Sequence, residues 1–205
     1  MPSLGRQVDA LVGYISQPDA QLEPYVGTVP LVLADRGLDS SRHALVHIDT
    51  ATGIRAGLEH LVGLGHRRIG LIDCECVTAP MVRHRTFLEV VGEHALPVDE
   101  GWTVMGEQSQ AGGAAAFEAL YAAHPDLTAV VAFNDLVALG ALRATRRLGV
   151  RVQDDCALVG YDGLSVVDLV DPPSTTLHLD KRRLGNWPST KSTGSSRANC
   201  RLRSS

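Results

Sequence analysis

The sequence predicts an α/β fold in which parallel sheets are wound by helices on both faces. Three observations predict it. Short apolar runs alternate with amphipathic stretches of about three helical turns. The runs Ala129–Phe133 and Ala157–Tyr161 are continuously apolar, as strands buried on both faces are. Each of these two runs then stops at polar groups, Asn134-Asp135 and Asp162-Gly163, with a single amphipathic helix between them. That is a β-α-β unit with amide and carboxylate groups where parallel strands end, and in open α/β sheets ligands bind outside the carboxyl ends of the strands.

The elements follow in order. Val8–Ile15 (VDALVGYI) and Val29–Ala34 (VPLVLA) are runs of strand length, the second ending at Asp35-Arg36. His47–Asp49 reads as a short connecting strand. Asp49 or Thr50 can cap a helix reaching about Leu64, in which Ile54, Leu58, Leu61 and Val62 recur at helical spacing. Gly65 fits the left-handed position that ends it, and His66, Arg67 and Arg68 bring cations to its negative end. His66 reads as such a helix-end cation rather than a general base. Ile69–Ile72 predicts a buried strand, Pro80–His94 a helix, Trp102–Met105 a short strand and Ala111–Ala123 an alanine-rich helix. Strand Ala129–Phe133, helix Asp135–Leu148 and strand Ala157–Tyr161 complete the series. Asn186–Ser205 has neither period and is rich in Ser, Thr and Arg, so it is expected to be disordered.

Composition narrows the function. The hydrophobic fraction of 44% and charged fraction of 20% are those of a globular protein, and no apolar run approaches the roughly 20 residues of a membrane helix. Without a basic flank and apolar signal core at the N-terminus, a cytoplasmic location is expected. Cys74, Cys76, Cys156 and Cys200 do not form CxxC pairs, so neither a metal site nor a disulfide is expected. Seven of the 19 basic residues follow Asp180, and no acidic residue does. Residues 1–180 therefore hold 12 basic and 23 acidic residues, a balance of −11, which repels nucleic acid.

No GxSxG elbow, P-loop, HExxH or complete GxGxxG is present, so no catalytic residue and no cofactor is expected, and the chain does not read as an enzyme. What remains is a set of hydrogen-bonding residues at strand ends: Asp35, Arg85, Asn134, Asp135 and Asp162. Carboxylates accept from hydroxyl pairs, an amide donates and accepts, and arginine donates a planar fork. The set suits a polyhydroxylated ligand such as a sugar or nucleoside. Asp135 can also serve structurally, as the cap of the helix it begins.

These residues lie in longer strings: VDALV (8–12), VPLVLADR (29–36), HIDTATGIRAGLEHLVGLGHRRIGLI (47–72), AFNDLVALGAL (132–142), LVGYD (158–162) and DPPSTT followed by LG (171–185). In that order they resemble the effector-binding domain of the lactose/galactose-repressor family of bacterial transcription regulators, over about Val8 to Gly185. The resemblance implies a periplasmic-binding-protein-like fold: two lobes of doubly wound parallel sheet, the first incomplete. Residues 1–46 would be the remnant of the first lobe, 47–176 the second lobe, 177–185 the crossover back and 186–205 the disordered tail. It implies a small-molecule effector, a cytoplasmic homodimer through the second lobe, no membrane partner, and DNA contact only through a helix-turn-helix domain missing from these residues. Asp35, Arg85, Asn134 and Asp162 match the family's effector contacts, although the glycine that follows the arginine is replaced by Leu88 or Glu89. Against the family pattern the chain is expected to be truncated at its start and to carry an aberrant tail from a shifted reading frame. The alternative is a sugar-binding protein of a transport system, which shares the architecture.

Overall fold

The computed structural model describes residues 11–13, 31–34, 44–75, 81–172, 174–181, 196–198 and 200–203. The chain divides into two compact units, one drawn from residues 1–49, 76–80 and 180–199, the other from 50–75, 81–179 and 200–205. The first half of the chain gives β1 (Leu11–Gly13), β2 (Leu31–Ala34), β3 (Ala44–Ile48), α1 (Thr50–Gly63), β4 (Ile69–Cys74) and α2 (Val82–Glu93). Then come β5 (Thr103–Gly106), α3 (Gln110–Ala123), β6 (Ala129–Ala132), α4 (Asp135–Leu148) and β7 (Ala157–Asp162). A 3-10 segment (Ser165–Leu169), β8 (Thr175–Leu179), β9 (Ser196–Ala198) and β10 (Cys200–Arg203) complete it.

In the first unit a parallel sheet runs β1-β2-β3-β9. The second unit holds a six-stranded sheet ordered β10-β8-β7-β6-β4-β5, parallel except for β10. Strands β4 and β6 are buried at every residue, which is why Ile69–Ile72 and Ala129–Ala132 read as unbroken apolar runs. Alternation assigns the two faces of this sheet. Gly70 of β4 lies against Leu120 of α3, and Gly160 of β7 against Asp135 and Ala138 of α4. The other face takes α1, whose Gly57 packs on Leu177 of β8. Ile54, Leu58 and Leu61 of α1 and Phe87 and Val90 of α2 are buried at helical spacing.

The end of α1 forms as its glycine predicts. Gly65 has φ 93°, its N–H donates to Val62 O, and that of His66 donates to Leu61 O. Burial, with His60 beside it, lowers the pKa of His66. Arg67 brings its cation to the helix end, donating from Nη1 to Val62 O at 3.2 Å.

Two further expectations are corrected. The tail expected to be disordered carries β9, parallel to β3, and β10, antiparallel to β8. An edge strand such as β8 offers a row of unpaired backbone groups that can order a segment of weak intrinsic preference. The crossover expected at 177–185 begins inside β8, whose residues through Leu179 belong to the second unit.

Candidate functional site

The sheet order places the site. From β4 the chain goes outward to β5 and then returns to β6 on the other side of β4. The winding direction reverses between β4 and β6, and the crevice at the carboxyl ends of two such strands is where doubly wound sheets bind ligands. Asp73 lies one residue before the end of one of these strands and Phe133-Asn134 follow the other.

Four groups are assembled there. Ala132 pairs with Ile72, and Val131 with Val159, so the register carried one step on sets Phe133 beside Asp73, and carried two steps on sets it beside Tyr161. Arg83, in the first turn of α2, lies over this row: its guanidinium carbon is 4.0 Å from the Phe133 ring centre and 5.3 Å from that of Tyr161. Such stacking on aromatic faces holds a cation where little water reaches it. Arg83 is 7% exposed, and its Nε has no hydrogen-bond partner among the described residues. Asp73, 3% exposed, accepts the Cys74 N–H at 2.9 Å. Burial raises its pKa, and the Cys74 amide and Arg83 oppose that rise.

Asn134 caps α4, its Oδ1 accepting Val137 N–H at 2.9 Å, which leaves the amide NH₂ as the group able to donate to a ligand. Asp162 ends β7 with φ 106°. Asp135 is not the cap it was expected to be. It is fully buried, and its carboxylate accepts Leu164 N–H and the Thr176 hydroxyl. The cap position belongs to Asn134 because that residue, not Asp135, has extended backbone angles.

The arginine expected at the site is also corrected. Arg85 is 68% exposed and faces Glu89 at 3.8 Å, on a surface where Arg55 of α1 reaches Glu89 and Glu93 of α2. A helix turns about 200° over two residues, so Arg85 cannot share the face of Phe87. Arg83 precedes Phe87 by four residues and Val90 by seven, on the buried stripe. That spacing is present in the sequence and sets Arg83, not Arg85, on the buried face. Asp35 lies outside the described residues. Among the described residues no group of His, Cys, Asp or Glu is arranged to hold a metal ion. Cys74 and Cys156 are buried thiols, and burial pushes Cys156 up to about 12, out of reach of thiolate chemistry at neutral pH.

A groove of about 460 Å³ lies at the other end of β7, lined by Leu142, Thr145, Arg146, Val150 and Pro172 among others. Its walls are largely apolar, and Arg146 is already engaged with the Asp171 carbonyl. It offers a polar ligand little of what the strand ends offer.

The family profile described as periplasmic binding protein-like domain matches residues 58–186. A curated repressor, PurR of Yersinia pestis, is 34% identical over 187 residues, covering 88% of this chain and 54% of its own length. PurR of Pasteurella multocida is 31% identical over 159 residues, covering 77% and 48%. This chain belongs to the lactose-repressor (LacI/GalR) family. Its described fold is that of the family's effector-binding domain. A solved structure of the transcriptional regulator CelR in complex with cellobiose is 27% identical, with TM-score 0.86, covering 99% of this chain and 68% of that one. A LacI-family regulator of Mycobacterium smegmatis is 26% identical, with TM-score 0.85, covering 99% and 81%. The named relatives are transcriptional regulators, which favours that reading over a transport receptor. The chain spans about half the length of the curated relatives it matches. No helix among the described residues is long and apolar enough to cross a membrane.

Proposed function

We propose that the second unit carries one wall of a sugar effector site in a bacterial transcriptional repressor, and that the wall performs no catalysis. The observation that carries this is Arg83: a buried guanidinium, stacked on Phe133 and Tyr161 at the reversal of the sheet, with Nε lacking an acceptor among the described residues. A buried donor without a partner is costly, and a ligand hydroxyl supplies the acceptor. Asn134 would donate to and Asp162 accept from neighbouring hydroxyls, and the aromatic row gives the apolar edge of a sugar ring a surface to lie near. The CelR complex with cellobiose supports a sugar as the ligand class. Asp35 remains the contact that the resemblance assigns to the first lobe.

The whole protein would act in the cytoplasm as a homodimer joined through the second lobe. Leu169 is 83% exposed, and Val166 and Leu136 are also exposed; the 3-10 segment that bears the first two is tied to the start of α4 by the Leu164–Asp135 bond. Exposed apolar side chains of this kind are what a partner copy would cover. Operator binding belongs to the whole protein rather than to the acidic body of residues 1–180.

Saturation-transfer NMR on the full chain with D-ribose, D-glucose, cellobiose and adenosine tests the reading, because it detects weak binding. Transfer to at least one sugar is expected, lost in Arg83→Met and kept in Arg85→Met. Transfer to no sugar, or dependence on Arg85 instead of Arg83, would overturn it.

A further inference from the structure

Asp162 is an unusual choice for the place it occupies. Its φ of 106° is a backbone region that L residues adopt only when their surroundings hold them there. The two amides that follow it are both taken up by side chains from other elements. Leu164 N–H donates to Asp135 Oδ2 at 2.6 Å, and Gly163 N–H donates to Thr176 Oγ1 at 3.2 Å. The Thr176 hydroxyl in turn donates to Asp135 Oδ1 at 2.6 Å, which joins the two holds into one network. Asp135 is fully buried and Thr176 is 1% exposed, so neither hold is diluted by solvent.

The neighbouring glycines fit the same purpose. A Cβ on Gly160 would come within 2.3 Å of Asp135 Oδ1, so only glycine admits the carboxylate to that position. Gly163 has φ 66°, and a Cβ there would meet His178 Nδ1 at 2.3 Å. A buried carboxylate is a poor source of net stability, because desolvation offsets what its hydrogen bonds contribute. It is a good means of fixing one geometry among several.

We infer that Asp135, acting through Thr176 and the Leu164 amide, is a positioning residue that holds Asp162 in its left-handed conformation for effector binding. The role rests on the effector reading above, whereas the positioning itself can be measured without a ligand.

Thr176→Val removes the hydroxyl at nearly constant volume, and Thr176→Ser retains it. Three readouts on the full chain separate them: the HN–Hα coupling of Asp162, which reports φ; hydrogen exchange at Gly163 and Leu164; and saturation transfer from D-ribose, D-glucose, cellobiose and adenosine. In Thr176→Val the Asp162 coupling is expected to change and the two amides to exchange about tenfold faster. Any probe bound by the unmodified chain should bind about tenfold more weakly. Thr176→Ser should restore all three. Asp135→Asn keeps an acceptor for Leu164 and serves as the second variant should Thr176→Val fail to fold; it is expected to reproduce the change in Asp162 coupling. An unchanged coupling and unchanged exchange in the variants would overturn the inference, as would a binding loss that serine does not restore. If no probe binds the unmodified chain, the effector reading falls, while coupling and exchange still decide whether this network holds the turn.

Discussion

The turn that leads into β7 and the turn that leaves it both place a non-glycine residue in the left-handed region, Gln153 at φ 79° and Asp162 at φ 106°. The leading turn is bracketed at the surface. Arg151 donates to Asp155 from its backbone N–H at 2.9 Å, from Nε at 3.0 Å and from Nη2 at 2.6 Å, yet its side chain is 69% exposed. The leaving turn is bracketed in the interior by Asp135 and Thr176. Closing a chain reversal at the surface takes only the first arrangement. Burying a carboxylate to hold the second points to a position that matters beyond the reversal, at the carboxyl end of the sheet, where open α/β sheets bind ligands.

Substitutions separate the two turns. The largest effect is expected from Asp135→Ala, which strips both Leu164 N–H and the Thr176 hydroxyl of their acceptor: a loss of about 3–5 kcal/mol of unfolding free energy in a denaturant melt. A loss below about 1 kcal/mol would place the leaving turn on the same footing as the leading one. Asp162→Gly and Gln153→Gly come next. Each relieves a left-handed strain, and each is expected to raise stability by about 1 kcal/mol. Only Asp162→Gly should abolish saturation transfer to a sugar, and equal behaviour of the two variants in binding would remove the distinction.

Two smaller effects are read through pH. Burial holds the proton on Asp73 to higher pH than in the unfolded chain. Stability from this group is therefore greatest below the ordinary aspartate range and falls as pH rises through the raised value. Asp73→Asn should flatten that fall in melts taken across the acid range. Asp155 shifts the other way, because its hydrogen bonds with Arg151 lower its pKa. Its contribution is present above the ordinary aspartate value and is lost as pH falls through the lowered one. Arg151→Gln should remove that dependence with only a slight change in melting temperature, and salt should diminish it further because the pair is exposed.

Most of the second unit was legible in the sequence, for a physical reason. Strands buried on both faces read as unbroken apolar runs, and helices between them carry a stripe, so β4, β6, β7 and α4 fall where the pattern sets them. Strand β8 (TTLHL) was not read, since its threonines and histidine break the apolar run. β9 and β10 were missed because an ordered edge, not local preference, recruits them. Asn134 and Asp162 stand at strand ends that the sequence pattern alone locates. Position after β4 alone does not separate Arg83 from Arg85, whereas helical phase does, because the Phe87 and Val90 stripe sets Arg83 on the buried face. The role of Asp135 could not be read at all: its partners, Leu164 and Thr176, lie 29 and 41 residues away in sequence.

On the proposed effector reading, a ligand binds at the carboxyl ends of β4, β6 and β7. The measurement that tests it most directly is a two-dimensional ¹H–¹⁵N NMR titration of the full chain with cellobiose and D-ribose. The largest shifts are expected at the amides of Arg83, Asn134 and Asp162 through Leu164, with the groove of Leu142, Arg146 and Val150 undisturbed. Shifts centred on that groove, with the strand ends unchanged, would contradict the claim.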